Sequence, residues 1–254
     1  MCTIAILIGV ADAPVVIAAN RDELYARITR PPEQLAAGIA GGVDGQSGGT
    51  WLAVNRAGRF VAVTNQRAME TPPPGLKSRG TIVRELAGVA DPDAYVAAID
   101  PRQYASMNLV WGDATTVRIA YLRQPTGAHE VETLPRGIHV LCNDRLGAPG
   151  FPRSVRLEQA ITKALEHSRA WPQLWPTLAR ALADHSRVAI EDVPPSHLPP
   201  ELARELTATC IHSELYGTRS ASLVAVEPGR IAAYLHADGP PCTTTFADRM
   251  ELLA

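Results

Sequence analysis

The sequence lacks the short motifs that mark common metal and phosphate sites. Its 254 residues contain no H-E-x-x-H, no C-x-x-C and no G-x-x-x-x-G-K-[ST] motif. The four cysteines are widely spaced, and a chain of this length does not need disulfide staples. Cys210 and His212 would share one side of a strand, but two ligands alone make a poor metal site. We therefore expect reduced thiols and no metal or organic cofactor.

Excess charge of one sign and long apolar runs are also missing. The 24 basic and 26 acidic residues leave a net charge of −2 and form no basic stripe, which argues against a nucleic-acid partner. No stretch reaches the ~18 apolar residues of a membrane helix. The apolar beginning of the chain has no positively charged region of the kind that starts a signal peptide. We expect a cytoplasmic protein without an integral membrane segment.

The composition that is present suits an ordinary globular protein. Hydrophobic residues make up 46% of the chain and charged residues 20%, which is enough apolar material for a sizeable core. The length fits a layered fold in one piece, so we expect a single domain over residues 1–254.

The first third of the chain predicts strands. Short β-type runs at residues 3–10, 14–19, 51–54 and 60–64 indicate two successive hairpins. The glycine-rich segment 38–49 between them predicts a loop. The first hairpin places Cys2 on one strand and residues 20–23 just past the end of its partner, so the thiol and these polar groups would lie side by side.

The remainder predicts helices between further strands. A helical stretch over 81–99 is broken at Asp91-Pro92, and amphipathic helices are expected at 154–168 and 174–185. Strands are expected at 107–111, 117–122, 138–142, 209–213, 220–226 and 231–236. Strands at both ends with helical blocks between them indicate sheets covered by helices, an α+β layered fold.

Cys2 is the strongest candidate for a reactive residue. Removal of Met1 would put a thiol and a free α-amine on one residue, a nucleophile with its own base. By itself, however, a cysteine beside an apolar run is more often a small buried hydrophobe. The other nucleophile motif, G-x-S-x-G at Gly45–Gly49, lacks the strand before and the helix after it that a serine hydrolase requires, so we expect Ser47 to lie in a plain loop.

An ordered set of segments carries a family resemblance that covers nearly the whole chain. These segments are MCT at 1–3, AANRDE at 18–23, GGTWLAVN at 48–55, VTNQR at 63–67, SRG at 78–80, MNL at 107–109, GIHVLCN at 137–143 and YGTRS at 216–220. In this order they resemble the NRDE family, to which the transport and Golgi organisation proteins belong. That family is similar to the N-terminal-nucleophile hydrolases of the choloylglycine hydrolase and penicillin V acylase type.

The resemblance implies a four-layer αββα sandwich of antiparallel sheets, in which a mature N-terminal cysteine attacks an amide carbonyl. It implies that Cys2 is the nucleophile and that Asp22 is the carboxylate near the α-amine. Asn65 and Asn143 would match the asparagines around the oxyanion and the amine. Arg219 would match a late arginine beside the nucleophile.

One departure from the pattern concerns arginine. The hydrolases carry R-N-x-D, whereas here Ala19 stands in the arginine position and Arg21 falls inside the motif. Arg21 or Arg219 would suit stabilisation of a thiolate, but lone arginines also form surface ion pairs. Likewise, Asp22 after a strand is equally consistent with a turn or helix cap, and Asn143 with an ordinary strand end.

Two functions follow as alternatives. The first is a hydrolase for carbon–nitrogen bonds other than peptide bonds, which cleaves a linear N-acyl amide of a small molecule after removal of Met1. The second is a non-catalytic binding or trafficking protein for haem, acyl-CoA or lipid on the same fold. In that case Cys2 is a ligand or a remnant, and His139 or His212 matters more.

Overall fold

Two stacked antiparallel sheets form the centre of the structure. The computed structural model of the chain describes residues 2–67 and 73–254. Within these residues the strands are β1 (Cys2–Ile8), β2 (Val15–Leu24), β3 (Thr29–Ala36), β4 (Ile39–Asp44), β5 (Leu52–Asn55), β6 (Arg59–Asn65), β7 (Met107–Gly112), β8 (Val117–Arg123), β9 (Ala128–Thr133), β10 (Gly137–Leu141), β11 (Tyr216–Glu227), β12 (Arg230–Ala237) and β13 (Ala247–Asp248). The helices are α1 (Arg79–Leu86), α2 (Pro92–Ala97), α3 (Pro152–His167), α4 (Trp171–Leu182) and α5 (Pro200–Glu205).

The two sheets differ in connectivity. The first sheet has the order β10-β1-β2-β11-β12-β13, so the N-terminal strand is paired on both sides. The second sheet runs in simple sequence order from β3 to β9. Helices α3 and α4 pack on the first sheet, and α1 packs on β5 and β6 of the second. The fold is therefore the expected α+β sandwich with the layer order αββα.

Alternation along β1 divides its side chains between two cores. Ile4 and Ile6 lie in the core between the two sheets. Ala5 and Leu7 lie in a second core, formed with the helix layer. Because both faces of β1 are covered, the strand reads as a continuous apolar run, and the thiol of Cys2 is held at the start of a rigid element.

Helices α3 and α4 close the second core with the spacing that the sequence predicts. Leu157 and Ile161 on α3 are fully buried, as are Leu174, Leu178 and Leu182 on α4. On each helix these residues follow one another at intervals of four and form an apolar stripe toward the first sheet.

The predicted break at Asp91-Pro92 is also confirmed. The Asp91 carboxylate accepts a hydrogen bond from the Ala94 N–H at 2.9 Å, and Pro92 begins α2.

Three predicted boundaries are wrong. The segment 38–49 is not one loop, because β4 occupies Ile39–Asp44. A Cβ on Gly41 would come within 2.4 Å of the Leu52 carbonyl oxygen, so close packing of β4 on its neighbour, and not a loop, requires this glycine. Strand β2 continues through residues 20–23, because β1 pairs with it as far as Arg21 and β11 pairs with it as far as Leu24. Residues 209–213 are irregular and not a strand, with one isolated bridge between His212 and Gly217.

Two edge strands have no clear signal in the sequence. Strand β9 is polar and largely exposed, and β3 contains Pro31 and Pro32. Both are edge strands of the second sheet, where a proline or a charged side chain on the free side costs no ladder hydrogen bond.

Truncation of Leu178 to alanine tests the second core. Leu178 is 1% exposed. We expect Leu178→Ala to lower the free energy of unfolding by about 2–5 kcal/mol, measured by urea denaturation, because it leaves a cavity against the first sheet. Val155 on α3 is the matched control, since 55% of it is exposed. A loss in Val155→Ala as large as that in Leu178→Ala would contradict this description of the core.

His236 makes the stability depend on pH. Burial lowers the pKa of His236 to about 4, with a smaller contribution from Arg249, and its Nδ1 lies 2.9 Å from Ser222 Oγ. Below pH ~6.5 His236 binds a proton in the unfolded chain but not in the folded chain. The free energy of unfolding therefore falls from about pH 6.5 toward pH 4, by up to ~3 kcal/mol.

Urea denaturation at several pH values checks this prediction. His236→Gln removes the titrating group, so the variant should lose less stability than the unmodified chain over that interval. His197→Gln, at an exposed position, should behave like the unmodified chain. An identical acid dependence in all three proteins would refute the assignment.

Candidate functional site

The candidate site begins with the register of β1 against β2. Cys2 pairs with Arg21, so the two side chains share the face that looks toward the second sheet. Arg21 donates from Nη1 to Thr29 Oγ1 of β3 at 2.9 Å, and its Nη2 lies 3.9 Å from Glu23 Oε2. Both Cys2 and Arg21 are buried. The thiol therefore sits between the sheets beside a guanidinium that is held by one hydrogen bond and one ion pair.

The surroundings of the Cys2 thiol oppose its ionisation. Burial is the main cause that raises its pKa, and the nearby Asp22 carboxylate raises it further. The Arg21 charge and a hydrogen bond from the Asp22 backbone act in the opposite direction but do not compensate. The thiol is consequently neutral at physiological pH unless a base lies next to it.

Asp22 lies on the opposite face of β2, toward the helix layer. Its Oδ1 accepts a hydrogen bond from Thr218 Oγ1 at 2.7 Å, and Thr218 is its register partner in β11. Burial is the main cause that raises the pKa of Asp22, while the charge of Arg153 acts to lower it. Asp22 lies within a strand and therefore does not cap a helix. The thiol and this carboxylate therefore lie on opposite faces of the first sheet, and the charge of Asp22 still acts on the thiol.

Asn143 and Asn65 meet where β10 and β6 end. Asn143 Nδ2 donates to the Asn65 carbonyl oxygen at 2.9 Å, and Thr64 Oγ1 donates to the Cys142 carbonyl at 2.8 Å. The structure thus brings together the two asparagines that the sequence predicted at one rim. An amide nitrogen carries two N–H groups, so Asn143 can hold Asn65 and still donate to a second acceptor.

Arg153 is the main residue that sequence reasoning missed. It is 1% exposed, its Nη2 donates to Asn143 Oδ1 at 2.9 Å, and its Nη1 donates to the Leu206 carbonyl at 2.8 Å. Burial acts to lower the pKa of Arg153, but the neighbouring Cys142 and Asp22 outweigh it and raise the pKa overall. The guanidinium connects the carboxylate to the asparagine pair.

A signal for Arg153 does exist in the sequence. Arg153, Leu157 and Ile161 follow each other at intervals of four, so the arginine stands on the apolar stripe of α3. A charged residue on such a stripe must be paired inside the protein, because burial of an isolated charge is costly.

Two further arginines, Arg79 and Arg219, bear on the candidate site. Arg79 donates to the Ser106 carbonyl at 3.2 Å. Burial lowers the pKa of Arg79, and a thiolate at Cys2 would act to raise it. Arg219, expected beside the nucleophile, donates instead to the carbonyl oxygens of Leu24, Tyr25 and Arg27. It sits at a β-bulge between Thr218 and Ser220, which directs its side chain to this loop.

Two other candidates from the sequence lie outside the site. Ser47 Oγ donates to Asp44 Oδ2 and accepts from Ser78 Oγ in an exposed loop, as expected for a segment that is not a nucleophile elbow. On β10, the Nε2 atom of His139 lies 2.8 Å from the carbonyl oxygen of Pro135, which precedes the strand.

The pair Cys210 and His212 belongs to a larger group. The structure brings His185 and Cys242 to the same place, and the four ligand atoms lie within 4.8 Å of one another. Sequence reasoning found only the first two, since the others come from distant segments.

No helix in the described part of the chain combines the length and the apolar character that a membrane crossing requires.

The comparisons with known proteins agree with one another. A family model described as Transport and Golgi organisation 2 matches residues 1–235. The Transport and Golgi organization 2 homolog of Mus musculus is 29% identical over 235 residues, which is 84% of this chain and 82% of that protein. The homolog of Homo sapiens has the same identity and coverage.

Among solved structures, a mutant conjugated bile acid hydrolase from Clostridium perfringens matches with a TM-score of 0.55. Its sequence identity is 11%, and the match covers 99% of this chain and 93% of that one. At this identity the match shows a shared fold, that of the N-terminal-nucleophile hydrolases.

Arg153→Lys tests the buried connection between Asp22 and Asn143. A lysine keeps the charge but lacks the planar fork of donors with which arginine reaches both the Asn143 oxygen and the Leu206 carbonyl. We expect a loss of about 2–4 kcal/mol in the free energy of unfolding by guanidinium chloride, because a buried acceptor loses its partner. Arg180→Lys on the exposed side of α4 is the control and should be neutral. Equal stability of the two variants would contradict the role assigned to Arg153.

Proposed function

The chain belongs to the Transport and Golgi organisation 2 family, and from this premise we propose that it is a cysteine amidohydrolase. In this proposal Met1 is removed, the thiol of Cys2 is the nucleophile, and the substrate is a linear, non-peptide N-acyl amide. A reducing compartment such as the cytoplasm would keep the thiol free.

The observation that carries the proposal is the arrangement around the Cys2 backbone. The thiol lies on one face of β1 beside Arg21, and the Asp22 carboxylate lies on the other face, fixed by Thr218. The charge of Asp22 acts on the Cys2 thiol, so an α-amine at Cys2 would lie beside its own thiol and within the influence of a buried acid. Such an arrangement would suit a catalytic α-amine.

Removal of Met1 would supply the missing base. While Met1 is attached, the nitrogen of Cys2 is an amide, and burial raises the pKa of the thiol. After removal it is an α-amine with a pKa near ~7.7–8.0, which can accept the thiol proton directly or through a water. Asp22 would hold the resulting ammonium, and the positive charges of Arg21 and Arg79 would favour the thiolate.

Acylation then follows in two chemical steps. The thiolate attacks the carbonyl carbon of the amide, a carbon–sulfur bond forms, and the carbonyl oxygen becomes an oxyanion. The second N–H of Asn143, with Asn65 at the same rim, would stabilise this oxyanion. The carbon–nitrogen bond breaks, the amine leaves with the proton held by the α-ammonium, and a thioester remains on Cys2.

Deacylation reverses these roles. The free α-amine takes a proton from a water molecule, and the hydroxide attacks the thioester carbonyl. The carbon–sulfur bond breaks, the thiolate regains a proton from the α-ammonium, and the carboxylic acid leaves. The protein ends in its starting state, so no oxidant, metal or organic cofactor enters the cycle.

Two facts support an amide as the substrate class. The fold is shared with an enzyme named as a conjugated bile acid hydrolase. In addition, Asn143 keeps a second N–H that would suit a developing oxyanion. The rival function, binding or trafficking of haem, acyl-CoA or lipid without hydrolysis, is an outcome of the same test.

The test combines mass, thiol reactivity and turnover. Intact mass should show the loss of Met1, and alkylation should modify Cys2 before Cys142, Cys210 and Cys242. Against a panel of N-acyl amino acids and N-acyl amines, Cys2→Ala should lose turnover by at least ~1000-fold, because no other thiol occupies its place. The measurement is release of free amine.

Ser47→Ala is the matched control, since Ser47 is the other candidate nucleophile in the sequence, and it should retain full turnover. Retention of Met1 would rule out the α-amine mechanism. Unchanged amine release in Cys2→Ala would also refute the proposal, and saturable binding of haem or acyl-CoA without any amine release would favour the rival function.

A further inference from the structure

A cluster of four potential metal ligands lies outside the candidate active site. It consists of His185 after α4, Cys210 and His212 in the turns before β11, and Cys242 after β12. Cys210 is fully buried, Cys242 is half-buried, and the two histidines are exposed. The cluster thus joins three separate parts of the chain and remains accessible from one side, so an ion can enter from solvent.

The distances between the ligand atoms match a tetrahedral zinc site. Zn–S bonds of ~2.3 Å and Zn–N bonds of ~2.0–2.1 Å require about 3.8 Å between two sulfurs and about 3.6 Å between sulfur and nitrogen. The two Sγ atoms of Cys210 and Cys242 are 3.8 Å apart. His212 Nε2 lies 3.7 Å from Cys210 Sγ and 3.3 Å from Cys242 Sγ.

Both histidines are oriented for ligation. His185 Nδ1 lies 3.0 Å from the Cys210 carbonyl oxygen, which can only accept, so Nδ1 carries the proton and Nε2 has the free lone pair. A backbone acceptor for the second ring nitrogen is the usual support of a metal-bound histidine. The rings of His185 and His212 lie 4.9 Å apart between centroids, and their ligand atoms lie within 4.8 Å of those of the two cysteines.

The backbone around the cluster is fixed independently of any ion. The Cys210 N–H donates to the Asp184 carbonyl at 2.9 Å, and the His212 N–H donates to Glu205 Oε1 at 3.1 Å. The buried side-chain amide of Asn20 donates to the carbonyl oxygens of Leu182, three residues before His185, and Thr209, next to Cys210. The backbone at Cys210 and His212 is therefore held in place before a metal binds.

We propose that His185, Cys210, His212 and Cys242 bind one Zn²⁺ ion in a closed, structural site. Two thiolates and two neutral imidazoles form the Cys₂His₂ set that selects zinc, and their charge balances the ion. Binding releases the two thiol protons to solvent and changes no oxidation state. Four protein ligands leave no open position for a substrate, so the ion stabilises the fold and takes no part in catalysis.

The proposed ion would support the candidate active site indirectly. Ile211 lies between two of the ligands, and its N–H donates to Thr218 Oγ1 at 2.9 Å. Thr218 in turn donates to Asp22. Zinc would thus hold the segment that keeps the Asp22 carboxylate in position, although the zinc proposal itself does not depend on any hydrolase activity.

The main competing chemistry is a disulfide. Cys210 and Cys242 are close enough to approach each other, and both are free thiols here. A disulfide would involve only the two cysteines and would not account for the two nearby histidines, whereas a zinc ion would bind all four side chains. The experiment separates the two.

Metal content of the full chain gives the direct test. The protein is purified under reducing conditions without a metal-affinity tag, incubated with Zn²⁺, freed of loose metal and analysed by mass spectrometry for elements. We expect one zinc per chain, which Cys242→Ser and His185→Gln both lose. Cys2→Ala and His197→Gln are the matched cysteine and histidine controls and should keep it.

Cobalt and a chelator make the result independent of whether the variants fold. Unmodified chain loaded with Co²⁺ should show thiolate-to-cobalt charge transfer and the strong visible bands of tetrahedral cobalt. In a separate measurement, removal of zinc from the zinc-loaded chain by a chelator should lower the Tm of the protein. Absence of zinc after loading, retention of zinc in both ligand variants, or a Cys210–Cys242 disulfide in the reduced preparation would overturn the proposal.

Discussion

The antiparallel register of β1, β2 and β11 is the constraint on which the rest of the site depends. It places Cys2 opposite Arg21 on the face toward the second sheet, and Asp22 opposite Thr218 on the face toward the helices. Side chains alternate with a period of two, so a slip of one residue would exchange both sets of groups. Because both faces pack into apolar cores, such a slip would also put side chains of the wrong size into close-packed surroundings, and the cores therefore enforce the geometry of the site.

The helix layer adds a buried cation that the sheets cannot supply. Arg153 enters from the first turn of α3 and contacts Asn143, while its charge acts on Asp22. Burial of a guanidinium is costly unless its donors and its charge are satisfied. The arrangement thus couples helix packing to the polarity of the site. Docking of α3 on the first sheet buries Arg153, and the interactions with the asparagine and the carboxylate offset the cost of that burial.

The sequence predicts the alternating and amphipathic elements well and the long-range polar contacts poorly. Periodicity identifies β1, β7, β8, α3 and α4, because their apolar residues repeat on one or two faces. It misses β4, where Gly41 is selected by a close backbone approach, and β9, which is a polar edge strand. The order of motifs predicts Cys2, Asp22, Asn65 and Asn143 as site residues.

Contacts between distant segments leave little trace in a single sequence. Arg153 appears only as a charge on an apolar stripe, and the bulge that turns Arg219 toward the loop after β2 leaves no local signal. For the same reason, His185 and Cys242 cannot be assigned to Cys210 and His212 from spacing alone.

Thr218 has one hydroxyl proton, and this has a spectroscopic consequence. Its proton is committed to Asp22, so its lone pair is the group that receives the Ile211 N–H. Hydrogen bonds in such a chain polarise one another, so a change in the charge of Asp22 alters the strength of the bond from Ile211. The amide resonance of Ile211 is accordingly a reporter, on a separate segment of the backbone, of the ionisation state of a carboxylate that is itself hidden from solvent.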